Sequence, residues 1–243
     1  MPEVTRQRIN LWSSPRNIST ALLYAFAQRP DTAAVDEPLY AHYLLHQPTE
    51  ANHPGREAVL TTQEHDGRRV IDRMLHHDYS SPVVVFKQMT HHLVDLPLDF
   101  LDRMQHVLLI RHPEEILASF SKVVTRVTAL DVGLPQQEEL FEHLRQSNSL
   151  TAVVDSRRLL EDPPGVLRRL CERLDLPYTD AMLQWPAGPK PFDGSWAPYW
   201  YGGVHQSTGF RPYEEKSIRL PPRLATIAAE TLPIYRRLLD HAL

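Results

Sequence analysis

Val83-Val84-Val85-Phe86 and Val107-Leu108-Leu109-Ile110 are unbroken apolar runs, and the first sets three β-branched residues in line. A strand with one solvated face alternates apolar and polar residues; a strand with none is covered on both faces. Ile9–Trp12, Thr32–Val35 and Thr151–Val154 are three further short strand candidates. Helical spacing lies between them. Leu22, Leu23 and Phe26 mark a helix over Ser19–Phe26, Arg56–His77 is mostly helical in pattern, and Pro164–Leu174 is amphipathic. Pro113 followed by Glu114 and Glu115 is a helix start, and Ile116, Leu117, Phe120, Val123 and Val124 supply its apolar face. A last helix is expected around Leu224–Leu239. Buried strands separated by helices predict an α/β fold, a parallel β-sheet flanked by helices in three layers.

The 243 residues contain 42% hydrophobic residues, enough for a sizeable core. No linker divides the chain, so residues 1–243 are expected to form a single domain. With 26 basic and 30 acidic residues the net charge is −4, which argues against a dedicated nucleic-acid binder. The single cysteine, Cys171, excludes an intrachain disulfide and falls on an apolar stripe with Val166, Leu167, Leu170 and Leu174, as a structural thiol would. Met1–Asn10 carries no apolar signal core, and no stretch reaches the roughly 20 apolar residues of a membrane span. A cytoplasmic location without membrane partners is the expectation. Residues 185–212, rich in Pro, Gly and aromatics, hold three of the four tryptophans and suggest a lid over a site.

Two strand-to-helix junctions concentrate anion-binding chemistry. Ser13-Ser14-Pro15-Arg16-Asn17-Ile18-Ser19-Thr20 joins the first strand to the first helix, where free N–H groups, a guanidinium and two hydroxyls can surround a phosphate. The ATP-binding G-x-x-x-x-G-K-[ST] turn is absent. Arg111 ends the Val107–Ile110 strand, where an open parallel sheet binds ligands, and Ser119 follows eight residues later.

Pro15, Arg16, Ser19 and Thr20 resemble the 5′-phosphosulfate loop of sulfotransferases, P-[KR]-S-G-[ST]-[ST], with Asn17 and Ile18 standing where serine and glycine are usual. Leu108 to Ser119 resembles the family's 3′-phosphate motif, an arginine ending a strand and a serine eight residues on. The resemblance implies a P-loop nucleotide-binding architecture and 3′-phosphoadenosine 5′-phosphosulfate as donor. The donor would be held between Pro15, Arg16, Asn17, Ile18, Ser19 and Thr20 at one end and Arg111 and Ser119 at the other.

It further implies sulfuryl transfer to a hydroxyl or amine of a small-molecule acceptor, with no metal expected. Glu37, in Asp36-Glu37-Pro38, resembles the "EP" element in which a glutamate serves as base. Phe86-Lys87-Gln88-Met89-Thr90-His91 partly matches the K-T-H element, with Lys87 and His91 four apart. Lys87 would stabilise the leaving oxygen or orient the substrate, and His91 is a second candidate base. Arg211, in Gly209-Phe210-Arg211, is a weaker candidate to close over the nucleotide. The pairs His76-His77 and His91-His92 do not make chelates, since neighbours on a helix face apart. Two other readings stay open: a nucleotide-dependent kinase or NTPase with Asp36-Glu37 on magnesium, and a non-catalytic nucleotide-binding domain. A homodimer also stays open, as does the identity of the acceptor.

Overall fold

A computed structural model describes residues 6–47, 52–124 and 126–243. Residues 1–5, read above as lacking a signal core, lie outside them. The five expected strands form, each a residue or more longer than its apolar run: β1 (Gln7–Ser13), β2 (Thr32–Asp36), β3 (Val83–Met89), β4 (Gln105–Ile110) and β5 (Leu150–Asp155). They make one parallel sheet in the order β2-β3-β1-β4-β5. The helices are α1 (Ser19–Phe26), α2 (Tyr40–His46), α3 (Arg56–Thr62), α4 (Gly67–His76), α5 (Pro113–Phe120), α6 (Ala129–Val132), α7 (Leu134–Gln146), α8 (Ser156–Glu161), α9 (Pro163–Arg173), α10 (Ala197–Trp200), α11 (Gly202–His205) and α12 (Pro222–Leu239).

Both faces of the sheet are covered, which is why its strands carry no polar alternation. Val83, Val85, Val107 and Leu109 pack on one side with Leu22, Leu23 and Phe26 of α1 and with Val166, Leu167, Leu170 and Cys171 of α9. Their strand neighbours Val84, Phe86, Leu108 and Ile110 pack on the other with Val70, Met74, Leu140, Phe141 and Leu238 from α4, α7 and α12. Successive side chains of a strand point to opposite faces, so one valine run feeds two cores. Cys171 is buried in the first, and burial pushes its thiol pKa up, as suits an inert packing residue. Among the described residues no helix is long and apolar enough to cross a membrane.

Two helical readings change in detail. The Arg56–His77 segment is two helices, broken where Asp66 caps α4 by accepting from the N–H groups of Arg68 and Arg69. Helix α5 ends at Phe120 rather than continuing through Val124, although Val124 still joins its apolar cluster.

The strand order fixes where a site can form. The chain leaves β1 toward β2 at one edge and leaves β4 toward β5 at the other, so the crevice between the carboxyl ends of β1 and β4 is a topological switch point. Ser13 pairs with Leu109 across it, which sets the loop after β1 beside Arg111.

Candidate active site

The turn after β1 and the turn after β4 meet at that crevice. Arg16 donates through Nε to Ser119 Oγ at 3.1 Å and through Nη1 to the Trp200 carbonyl at 3.1 Å. Arg111 donates through Nη1 to the Arg16 carbonyl at 2.6 Å and through Nε to Glu115 at 2.8 Å. Glu115 also accepts from the Tyr213 hydroxyl at 2.9 Å. Burial lowers the Arg16 pKa, and the neighbouring Arg111 guanidinium lowers it further. Two partly buried cations held this close favour an anion between them. The two basic turns touch directly.

The turn itself is strained at the positions the sequence singled out. Ile18 is the N-cap of α1 with φ 45° and ψ 12°, left-handed geometry that suits the glycine usual in such loops and costs a β-branched residue about 1–2 kcal/mol. Arg16 has φ 59° and Glu37 φ 41°, and all three line one cleft of about 310 Å³. Strain of this kind persists where the surrounding structure enforces it. Asn17, expected among the nucleotide-binding residues of the loop, lines the cleft while its side-chain amide points inward. Its Nδ2 donates to the Leu109 carbonyl at 2.6 Å and to Ser14 Oγ at 3.2 Å, tying the turn to β4. Pro15, Ser19 and Thr20 line the cleft.

On the other side of β1, the register of β2 against β3 places Asp36 opposite Lys87. The Lys87 ammonium is 1% exposed and donates to Asp36 Oδ1 at 2.8 Å, to the Tyr201 hydroxyl oxygen at 2.7 Å and to Glu37 Oε1. The Tyr201 hydroxyl donates to Asp36 Oδ2 at 2.7 Å and accepts from Trp196 Nε1 at 3.0 Å. Burial alone would depress the Lys87 pKa; Asp36 and Glu37 override it and hold it above the usual value. Burial pushes the Glu37 carboxyl up against the opposing pull of Lys87. Glu37 Oε2 has no protein partner among the described residues, and Glu37 lines the cleft.

Lys87, read as stabilising the leaving oxygen or orienting the substrate, lines the cleft with its three N–H groups donating to Asp36, Glu37 and Tyr201, so it holds Glu37 in place. The same ammonium bridges Asp36 and Glu37, the acidic pair of the kinase reading. His91 lines the cleft, yet burial pushes its pKa down to about 3, which makes it a weaker base than Glu37. Sequence reasoning placed Asp36 only in the magnesium reading and Tyr201 only among the aromatics of residues 185–212; it missed that both meet Lys87. An acid immediately before Glu37, facing a lysine across adjacent strands, was the available signal.

The family model of the sulfotransferase domain matches residues 7–239. This chain belongs to the sulfotransferase domain family. The sulfotransferase domain of the Synechococcus PCC 7002 olefin synthase superposes with a TM-score of 0.61, at 18% identity over 97% of each chain. Mouse sulfotransferase SULT7A1, complexed with PAP, superposes with a TM-score of 0.56, at 9% identity over 96% of this chain and 88% of that one. These likenesses place the fold, a parallel sheet flanked by helices. In sequence the domain is 39% identical over 241 residues to branched-chain-amino-acid aminotransferase-like protein 1 of Arabidopsis thaliana. The match takes in 99% of this chain and 42% of that relative, so the sulfotransferase domain spans about two fifths of its length.

Within the sulfotransferase domain, residues 185–212 form a wall with buried aromatic anchors. Trp185, Trp196 and Tyr201 are buried, and Trp196, Trp200, Tyr201 and Arg211 line the cleft. Asp193 fastens this wall to α1. It accepts from the Tyr24 hydroxyl at 2.7 Å, the Lys190 N–H at 2.7 Å and His205 Nε2 at 2.9 Å. The aromatics therefore both complete the core and face the site.

Proposed function

We propose that this sulfotransferase domain transfers a sulfuryl group from 3′-phosphoadenosine 5′-phosphosulfate to a hydroxyl or amine of a small-molecule acceptor. One observation carries the reading: Arg16, Arg111 and Ser119 converge at one part of a cleft in which Glu37 presents a carboxylate oxygen at another. The residues present fit a doubly phosphorylated nucleotide, since two guanidiniums are held together with Glu115 as their one acidic partner among the described residues. When bound, the donor supplies a sulfuryl group whose bond to the 5′-phosphate breaks as a bond to the acceptor forms.

The chain's own residues divide the remaining work. The Pro15–Thr20 turn holds the 5′ end through Arg16, Ser19, Thr20 and its backbone N–H groups. Arg111 and Ser119 hold the 3′-phosphate. Glu37 Oε2 accepts the acceptor's proton; its raised pKa brings it closer to the range in which a base works at neutral pH. Lys87 fixes the other Glu37 oxygen, so the base keeps one orientation. The aminotransferase-like names of the plant relatives find no counterpart in Lys87. A Schiff-base lysine needs a lowered pKa, and two carboxylates raise this one.

The test is formation of 3′,5′-adenosine bisphosphate from the donor, followed by chromatography with a panel of phenols, alcohols and amines. Acceptor-dependent formation is expected, with a fall of about 10²–10⁴-fold in Glu37→Gln. Equal rates in both proteins would overturn Glu37 as base. Tight bisphosphate binding with no turnover on any acceptor would make the domain a binding module.

A further inference from the structure

At the Arg111 end of the cleft a carboxylate already engages the guanidinium. Glu115 lies in the first turn of α5, and its Oε2 accepts from Arg111 Nε at 2.8 Å. Its other oxygen, Oε1, accepts from the Tyr213 hydroxyl at 2.9 Å. Tyr213 belongs to residues 211–221, which take no regular secondary structure and begin at Arg211 on the cleft wall. The Arg157 guanidinium, from α8, stands over the Tyr213 ring, 4.8 Å from its centroid. Glu115 and Arg157 therefore clamp this stretch between α5 and α8.

The contact with Arg111 is built for competition rather than orientation. Arg111 is oriented without it, because Nη1 donates to the Arg16 carbonyl at 2.6 Å on the neighbouring turn. Glu115 instead takes Nε, one of the two donors on the edge by which a guanidinium grips an anion side-on. The Arg111 and Glu115 side chains are 18% and 16% exposed, so water screens the pair only in part. A phosphate that binds Arg111 must share or displace this carboxylate and bring its own negative charge beside it. Resting on the donor reading above, we infer that Glu115 competes with the nucleotide's 3′-phosphate for Arg111 and so limits how tightly the nucleotide is held.

The competition is confined to one end of the nucleotide. Arg16 is held by Ser119 Oγ and the Trp200 carbonyl, both uncharged, so a ligand that engages only the 5′ end does not meet Glu115. Tyr213 keeps the carboxylate in place when Arg111 turns to phosphate, because its hydroxyl donates to the oxygen that Arg111 does not use. Repulsion between that carboxylate and the 3′-phosphate then favours release of the bisphosphate left after transfer.

The test titrates 3′,5′-adenosine bisphosphate and adenosine 5′-monophosphate, which lacks the 3′-phosphate, into the full chain by calorimetry, with Tm read alongside. Glu115→Gln keeps the shape of the side chain and Glu115→Ala does not; both remove its charge. Each variant should bind bisphosphate about three- to tenfold more tightly than wild type and change monophosphate affinity less than about twofold. Bisphosphate binding unchanged or weaker in both variants, or a gain shared equally by the monophosphate, would overturn the inference and leave the donor reading standing. Failure of bisphosphate to bind wild type and both variants would overturn the donor reading, and this inference with it.

Discussion

Replacing Lys87 with methionine removes the ammonium from a site that buries two carboxylates. The Asp36 and Glu37 side chains are 0% and 8% exposed, and after the change the Tyr201 hydroxyl and the Gly194 N–H are the donors left facing them among the described residues. Breaking a buried ion pair at one partner costs about 3–5 kcal/mol. For a chain of this size each kcal/mol is worth about 2–4 °C in Tm, so Lys87→Met should melt roughly 6–20 °C below wild type. Urea denaturation at pH 7 and pH 5.5 gives the free energy directly. The difference from wild type should be smaller at pH 5.5, since a carboxylate without its cation takes up a proton and its charged-state cost disappears. Adding Asp36→Asn should recover part of the loss. A deficit below about 1 kcal/mol, or a double variant no better than the single one, would refute the claim that the ammonium holds this site together.

Acid should destabilise the fold steeply. His53, His91 and His106 are held neutral by burial at about 4, about 3 and about 4, so their stability is present above the unfolded value near 6.5 and is lost as pH falls toward 4. Each contributes a slope of up to about 1.4 kcal/mol per pH unit, His92 is depressed with them and the raised Glu37 opposes, so stability in denaturant titrations should fall between pH 6.5 and 5; a flat profile would contradict it. Asp193→Ala strands the Tyr24 hydroxyl and the Lys190 N–H, and should cost about 2–3 kcal/mol in chemical denaturation with faster hydrogen exchange over residues 188–205. Unchanged exchange there would mean that other contacts hold the wall.

The sheet was legible because both of its faces are buried, which leaves apolar runs such as Val83–Phe86 with no other home in the fold. Arg111 and Ser119 were legible because their spacing is local, one strand end and one helix. The Asp36–Lys87–Tyr201 network was not, because its members lie 51 and 114 residues apart and meet only through strand register and the wall at 194–205. The inward hydrogen bonds of Lys87 were hidden for the same reason: nothing in the sequence tells how many of an ammonium's hydrogen bonds are already taken. Helix α7 was missed, although Leu140, Phe141 and Leu144 pack at helical spacing against Leu108 and Ile110. His53 gave no signal beyond being one of 13 histidines.

Calorimetric titration of 3′,5′-adenosine bisphosphate into wild type and Arg111→Ala tests the meeting of the two turns most directly. Charge-assisted bonds to phosphate are worth about 1.5–3 kcal/mol, so the variant should bind roughly 10–150-fold more weakly while Tm, read alongside, stays near wild type. Equal affinity in the two proteins would remove Arg111 from the nucleotide and contradict the account.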